Sequence, residues 1–203
     1  TGGIGIIMLI NKDNATLLVV DVQAKLLPAV LDATGMVARC RWLIAAAADV
    51  GLPVVFSEQY PQGLGHTVAG LLAAAPSAPV VEKLHFSCVA ANCLPPSLLE
   101  REQVVVCGME THVCVLQTVM GLLGLGKQVF VVVDAVSSRS ELDREYGLQR
   151  MRDAGAQLVT REMVLFEALH VRRAAIRKRS PELAHCTNSG GLLHHYCAKS
   201  FVA

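Results

Sequence analysis

Val104-Val105-Val106-Cys107-Gly108-Met109-Glu110-Thr111-His112-Val113-Cys114-Val115 decides how this chain is read. Its first half is a β-branched apolar run, the pattern of a buried strand over 104–107. The run breaks at Gly108, turns through Glu110-Thr111 and resumes as a helical pattern over 111–125, with Cys114 in the first turn. Unpaired N–H groups and the positive end of a helix favour a thiolate over a thiol. Cys114 is therefore expected to be a nucleophile held in its ionised form.

Working outward from this segment, apolar strand patterns recur at 16–22, 53–57, 80–83, 129–133 and 157–160. Helical patterns fall at 36–50, 67–74, 140–154 and 162–173, with a helical turn at 97–102. Alternation of strand and helix with short connections predicts a parallel sheet with right-handed crossovers. The fold class is α/β: a three-layer α-β-α, Rossmann-like domain on six parallel strands. Gly121 and Gly124 predict that their helix packs closely on a neighbour.

Composition agrees with a buried sheet. Of 203 residues, 53% are hydrophobic and 4% aromatic, so the core is aliphatic. The expected organisation is one domain at 14–174, an N-terminal extension at 1–13 and a tail at 175–203 that packs at a subunit interface. Met8 is an alternative start that would make the first seven residues an appendage. The opening residues lack the basic region of a secretory signal, and no apolar run is long enough to span a membrane.

Net charge is +1 with both signs mixed, which argues against nucleic acid as the main partner. One basic cluster, Arg172, Arg173, Arg177, Lys178 and Arg179, reads as a solvated helix end, with a phosphate or RNA patch as the alternative. Seven cysteines without regular spacing do not make a disulfide framework. They imply reduced thiols and a cytoplasmic setting. His185, Cys186, His194, His195 and Cys197 fit no zinc spacing, so neither metal nor cofactor is expected.

Asp21 and Lys83 end predicted strands, and Cys114 follows another. In an open α/β sheet the crevice beyond the carboxyl ends of the strands binds ligands. Aspartate and lysine at the ends of apolar runs are rarely buried unless paired. Together they imply a division of labour. Cys114 attacks, Asp21 takes its proton and returns it to a leaving amine, and Lys83 keeps Asp21 ionised while favouring the thiolate. Backbone N–H groups of Glu110 and Cys114 are the candidate oxyanion hole.

These residues resemble the isochorismatase-like cysteine hydrolases, a family that includes nicotinamidases and N-carbamoylsarcosine amidohydrolase. The likeness rests on Val20-Asp21-Val22-Gln23, Glu82-Lys83-Leu84-His85-Phe86-Ser87, the segment from Gly108 to Val115, and Asp134-Ala135-Val136-Ser137-Ser138-Arg139. It spans roughly residues 14 to 170, and the motifs stand in the family's order. The resemblance implies an Asp21–Lys83–Cys114 triad and a cis peptide at Met109–Glu110 that aims the Glu110 and Cys114 amides at one point. It further implies a small-molecule substrate and a homo-oligomer, a dimer or higher.

Departures from the family narrow the chemistry. Nicotinamidases carry a metal-binding Asp-x-His after the second strand, whereas this chain reads Ser57-Glu58-Gln59-Tyr60-Pro61-Gln62-Gly63-Leu64-Gly65-His66. True isochorismatases lack the cysteine, so Cys114 argues against vinyl-ether hydrolysis. The Glu58-Gln59-Tyr60-Pro61 loop is most similar to the isochorismatase domain-containing branch, some of whose members are called mitochondria-associated ribonuclease; mitochondrial association is an option only through this resemblance. Phosphodiester cleavage needs positive charge around the phosphate and a metal or a histidine pair; this cleft offers one lysine.

The resulting expectation is a cysteine-dependent hydrolase of a small amide-type C–N bond. A ribonuclease-like RNA-processing factor and a catalytically idle reactive-thiol protein are the alternatives. Gln23, Glu58, Tyr60, Phe86 and His112 are the expected substrate contacts, His112 being equally suited to capping the helix and Phe86 to the core. Cys107 and Cys40 read as buried small hydrophobes. Cys88 and Cys93 lie in the loop after Lys83, with substrate contact as a minor option. Asp134 is expected to bond loop backbone.

Overall fold

Period-two burial along the strands organises the molecule. The computed structural model describes residues 9–169, all within the unit Thr1–His170. The Met8 start, the basic cluster at 172–179 and the tail at 175–203 lie outside the described residues.

Six strands form one parallel sheet: β1 (Ala15–Val20), β2 (Val54–Gln59), β3 (Val80–Lys83), β4 (Gln103–Met109), β5 (Gln128–Ser137) and β6 (Gln157–Val159). Their spatial order is β3-β2-β1-β4-β5-β6. The helices are α1 (Ala33–Val50), three four-residue helices α2 (Pro61–Leu64), α3 (Ala69–Leu72) and α4 (Pro96–Leu99), then α5 (Leu116–Gly124), α6 (Glu141–Asp153) and α7 (Arg161–Leu169). Helices cover both faces. Leu17, Val19, Phe56, Val105 and Phe130 pack with Met36, Leu43 and Ile44 of α1 and Val164 of α7. Leu18, Val20, Val106 and Val131 face the other way, onto Val119 and Leu122 of α5 and Met151 of α6.

All strands run the same way, but the side to which successive strands are added switches between β1 and β4, the switch point where the crevice opens. There Gly108 stands beside Val20. A Cβ on Gly108, whose φ is 115°, would lie 2.1 Å from the Val20 carbonyl oxygen. Glycine is required at that position by both its conformation and the lack of space.

Several elements differ from the sequence expectation. Chain 111–125 does not begin as an α-helix: Thr111–Val115 is a π-helical turn, and α5 starts at Leu116. Propensity does not distinguish i→i+5 from i→i+4 bonding, and such turns cluster at functional sites. β5 runs on to Ser137 because a register shift against β4 absorbs extra residues. The helix expected at 67–74 shrinks to α3. Gly121 fits its expectation, since a Cβ there would meet Val89 at 2.8 Å, but Gly124 has nothing within 4 Å.

Candidate active site

The site is assembled from both sides of the switch point. Asp21 follows β1 directly, with a positive φ of 50°, and is wholly buried. Lys83 is the last residue of β3. The two cannot touch without crossing β2, which lies between their strands; Val20 is in register with Ser57, and Gln59 with Lys83. β2 therefore supplies the connection. Ser57 Oγ donates to Asp21 Oδ1 at 2.7 Å, and Lys83 Nζ donates to Asp21 Oδ2 at 2.6 Å and to Gln59 Oε1 at 2.9 Å. The side chains of both charged partners are 0% exposed.

Burial alone would push the Lys83 ammonium toward neutrality, but the Asp21 carboxylate outweighs it, so Lys83 is held above its ordinary range. The pair is an ammonium–carboxylate couple whose remaining bonding capacity is taken up by Ser57 and Gln59. Neither of these two residues was singled out from the sequence. The signal was present: polar residues two apart at the end of an apolar strand share one side of the sheet.

Cys114 lies in the π turn, 6% exposed, in the same buried cluster as Val20 and Leu116. The Asp21 carboxylate and the Lys83 ammonium both act on its thiol electrostatically. The direction runs against the expected thiolate. Burial pushes the thiol well up, the Asp21 charge pushes it further, and Lys83 only partly opposes them.

The Met109–Glu110 peptide is cis. Glu110 O accepts from the amides of Val113 at 3.0 Å and Val115 at 3.2 Å, which anchors the turn. The Glu110 carboxylate is taken by Arg139 through Nε at 2.7 Å and Nη2 at 3.0 Å, a bidentate pair at the surface. Asp134 Oδ1 accepts from the Arg161 amide at 3.0 Å, tying β5 to the start of α7.

The expected substrate contacts are placed unevenly. Gln23 is wholly buried and spends both ends of its amide on main chain: Nε2 donates to the carbonyls of Gln59 and Gly65, and Oε1 accepts from Gln59 N at 2.7 Å. Glu58 accepts from Thr67 N at 2.6 Å and from His66 Nδ1 at 2.9 Å. Burial opposes its charge, but these bonds prevail and hold the carboxyl below its ordinary value. Both residues clamp the 59–67 loop. Phe86 is outside the core; it is 51% exposed, beside an exposed Leu84. Tyr60 is half exposed, its ring lying over Gly63. His112 does not cap the helix; its Nδ1 lies 3.0 Å from Ser138 Oγ, and its ring helps line an open groove with Gln117 and Arg150.

Among the described residues, no group of three or more His, Cys, Asp or Glu side chains could hold a metal, and no helix is long and apolar enough to cross a membrane.

Known proteins are similar to this chain in sequence and fold. The isochorismatase domain family matches residues 15–163. Isochorismatase domain-containing protein 2A of Mus musculus is 39% identical over 161 residues, covering 78% of this chain and 76% of its own. Isochorismatase domain-containing protein 2 of Danio rerio is 32% identical over 91% of this chain and 94% of its own. Among solved structures, the MAR1 ribonuclease of Caenorhabditis elegans superposes with a TM-score of 0.76 at 37% identity, covering 89% of this chain and 91% of that one. YcaC of Escherichia coli, described as an octameric hydrolase of unknown specificity, gives 0.77 at 28% identity over 92% and 91%. YcaC of Pseudomonas aeruginosa, solved with hexane-2,5-diol and covalent acrylamide, gives 0.74 at 26% over 84% and 86%. With a match running from the start of β1 into α7, the chain belongs to the isochorismatase family of hydrolases.

Proposed function

We propose that this site hydrolyses a C–N bond of a small amide through a thioester on Cys114. The observation that carries the reading is a buried thiol within electrostatic reach of a carboxylate that Ser57 and Lys83 hold in place. As the sulfur attacks the carbonyl carbon, the thiol proton passes to Asp21, and the new oxyanion is received by the amides of Glu110 and Cys114. Asp21 returns the proton to the departing amine as the C–N bond breaks. Water then gives a proton to Asp21 and attacks the thioester; the acid leaves and Cys114 regains its hydrogen. Lys83 stays protonated throughout and lowers the cost of the carboxylate.

The covalent acrylamide on the Pseudomonas relative, a small amide bound to protein, is in keeping with this reading. Incubating the enzyme with a panel of small amides, quenching in acid and measuring intact mass tests it. An acyl adduct confined to Cys114, with turnover lost in Cys114→Ala, is the expected result; full turnover in Cys114→Ala would falsify the mechanism.

Likeness to the C. elegans MAR1 ribonuclease favours a second reading, RNA cleavage. Steeply salt-dependent RNA binding, with cleavage that needs Lys83, would support it. We further propose a homo-oligomer, on the octameric state of the E. coli relative and the exposed Leu84 and Phe86 beside Lys83. Light scattering of the full chain checks this; a monomer would refute it.

A further inference from the structure

Two cysteines outside the proposed chemistry form a closed unit against the site. The Ser87 hydroxyl accepts from the amides of Val89 and Ala90, both at 3.2 Å. Ala91 N donates to Ser87 O at 3.1 Å and Asn92 N to Val89 O at 3.0 Å, while Asn92 itself takes a φ of 52°. The chain doubles back, so that Cys93 N and Cys93 Sγ both donate to the Cys88 carbonyl oxygen, at 3.3 and 3.4 Å. The loop is pinned to α5 by Cys88 N donating to Thr118 Oγ1 at 3.1 Å and by the contact of Val89 with Gly121.

The two sulfurs differ in surroundings. Cys93 is partly exposed, whereas Cys88 is fully buried in the cluster that holds Cys114. The bonds from Cys93 N and Sγ to the Cys88 carbonyl hold the two cysteines side by side, and Cys88 is also within electrostatic reach of Cys93, Asp21 and Lys83. One end of the pair is at the surface and the other against the catalytic network. Cys40 and Cys107 lie together on the α1 side of the sheet with both residues at 0% exposure, whereas Cys93 brings one sulfur of its pair to the surface.

We propose that Cys88 and Cys93 are an oxidation site that closes to an intramolecular disulfide with a peroxide, and that closure changes the reactivity of Cys114; the second half rests on the reading of Cys114 as nucleophile. In the first step Cys93, the sulfur that solvent reaches, attacks hydrogen peroxide. An S–O bond forms, the O–O bond breaks, and the departing hydroxide takes the Cys93 proton to leave as water. In the second step Cys88 sulfur attacks the sulfenic sulfur of Cys93; the S–S bond forms, the S–O bond breaks, and the hydroxide carries off the Cys88 proton as water. Two thiols lose two electrons and one peroxide gains them. The neighbouring Cys93, against burial and the Asp21 charge and with help from Lys83, draws the Cys88 thiol down to about 7, which favours it as the attacking sulfur of the second step.

The experiment treats the full chain with stoichiometric hydrogen peroxide at neutral pH, blocks free thiols with iodoacetamide and maps the peptides by mass. A Cys88–Cys93 link, reversed by dithiothreitol, lost in Cys93→Ser and retained in Cys114→Ala, is the expected result. Both thiols remaining alkylatable would overturn the proposal, as would a link from either to Cys114, Cys186 or Cys197. This map needs no turnover, so its failure is separate from failure of the hydrolase reading. A second measurement follows the alkylation rate of Cys114 before and after oxidation. Loss of the Cys88 negative charge, which opposes Cys114 ionisation, is expected to raise that rate severalfold, and an unchanged rate would overturn the coupling.

Discussion

Two ion pairs flank Cys114, and they differ in nearly every physical respect. Asp21 and Lys83 meet at 2.6 Å with both side chains at 0% exposure. Glu110 and Arg139 meet at 2.7 Å with the arginine side chain 63% exposed and the glutamate side chain 9% exposed. Nearly equal distances conceal unequal consequences. A charge sealed on both sides that loses its partner cannot be rescued by water, whereas one beside an arginine that already stands in solvent can be reached by it. The sealed pair can therefore act on the ionisation of a neighbouring thiol, while the pair with one end in water braces the backbone at Glu110.

Breaking the buried pair at Asp21 should give the largest effect, and in opposite directions by two measurements. Asp21→Asn removes the proposed base, lowering turnover by about 10²–10⁴-fold. It also removes a negative charge that holds the Cys114 proton, so iodoacetamide labelling of Cys114 at neutral pH should accelerate. Labelling that slows along with turnover would mean that Asp21 does not face the thiol.

Lys83→Met should destabilise the fold by about 3–5 kcal/mol, read from urea unfolding, because Asp21 is left buried and unpaired. Adding Asp21→Asn to that variant should recover most of the stability and none of the activity. Lys83 is held above its ordinary 10.5, so the wild-type advantage is complete below that pH and fades only as pH rises through the higher folded value.

Glu58 sharpens the comparison from the acid side. Its carboxyl is held below 4.5 in the fold, so its contribution is present above that pH and is lost as pH falls through the depressed value. Glu58→Gln should cost about 1 kcal/mol at neutral pH, with the difference from wild type closing in the acid limb of a stability–pH curve. A deficit that persists unchanged to pH 2 would show that packing, not charge, is what Glu58 supplies. The smallest drop in stability among the ion pairs belongs to the one with an end in water: Arg139→Ala should lower the thermal midpoint less than Lys83→Met does, because solvent reaches the Glu110 carboxylate once the arginine is gone, and an equal or larger drop would overturn the contrast.

Much of this was legible in the residues. Apolar runs ending in Asp21 and Lys83, and a run ending ahead of Cys114, gave the strand ends and hence the crevice, because a parallel sheet places all its carboxyl ends on one edge. Gly108 announced a break, although not that Val20 stood behind it. Less legible were the assignments that depend on where a polar side chain finds its partner. Gln23 and Glu58 have the chemistry of ligand contacts, but nearby loop amides and carbonyls claim them first. Phe86 has the chemistry of a core residue and stands half in solvent.

The number and parallel direction of the strands, the aliphatic core and the placing of Asp21 and Lys83 at strand ends follow from the sequence itself, since hydrophobic period and chain connectivity leave little choice; the spatial order β3-β2-β1-β4-β5-β6 came from the tertiary structure. The ionisation of Cys114, the bridging of Asp21 to Lys83 through Ser57 and Gln59, the π turn and the pairing of Cys88 with Cys93 were decided only in three dimensions. Each depends on a distance of a few ångströms between segments far apart in the chain, and electrostatic and hydrogen-bond energies change sign or vanish over that range.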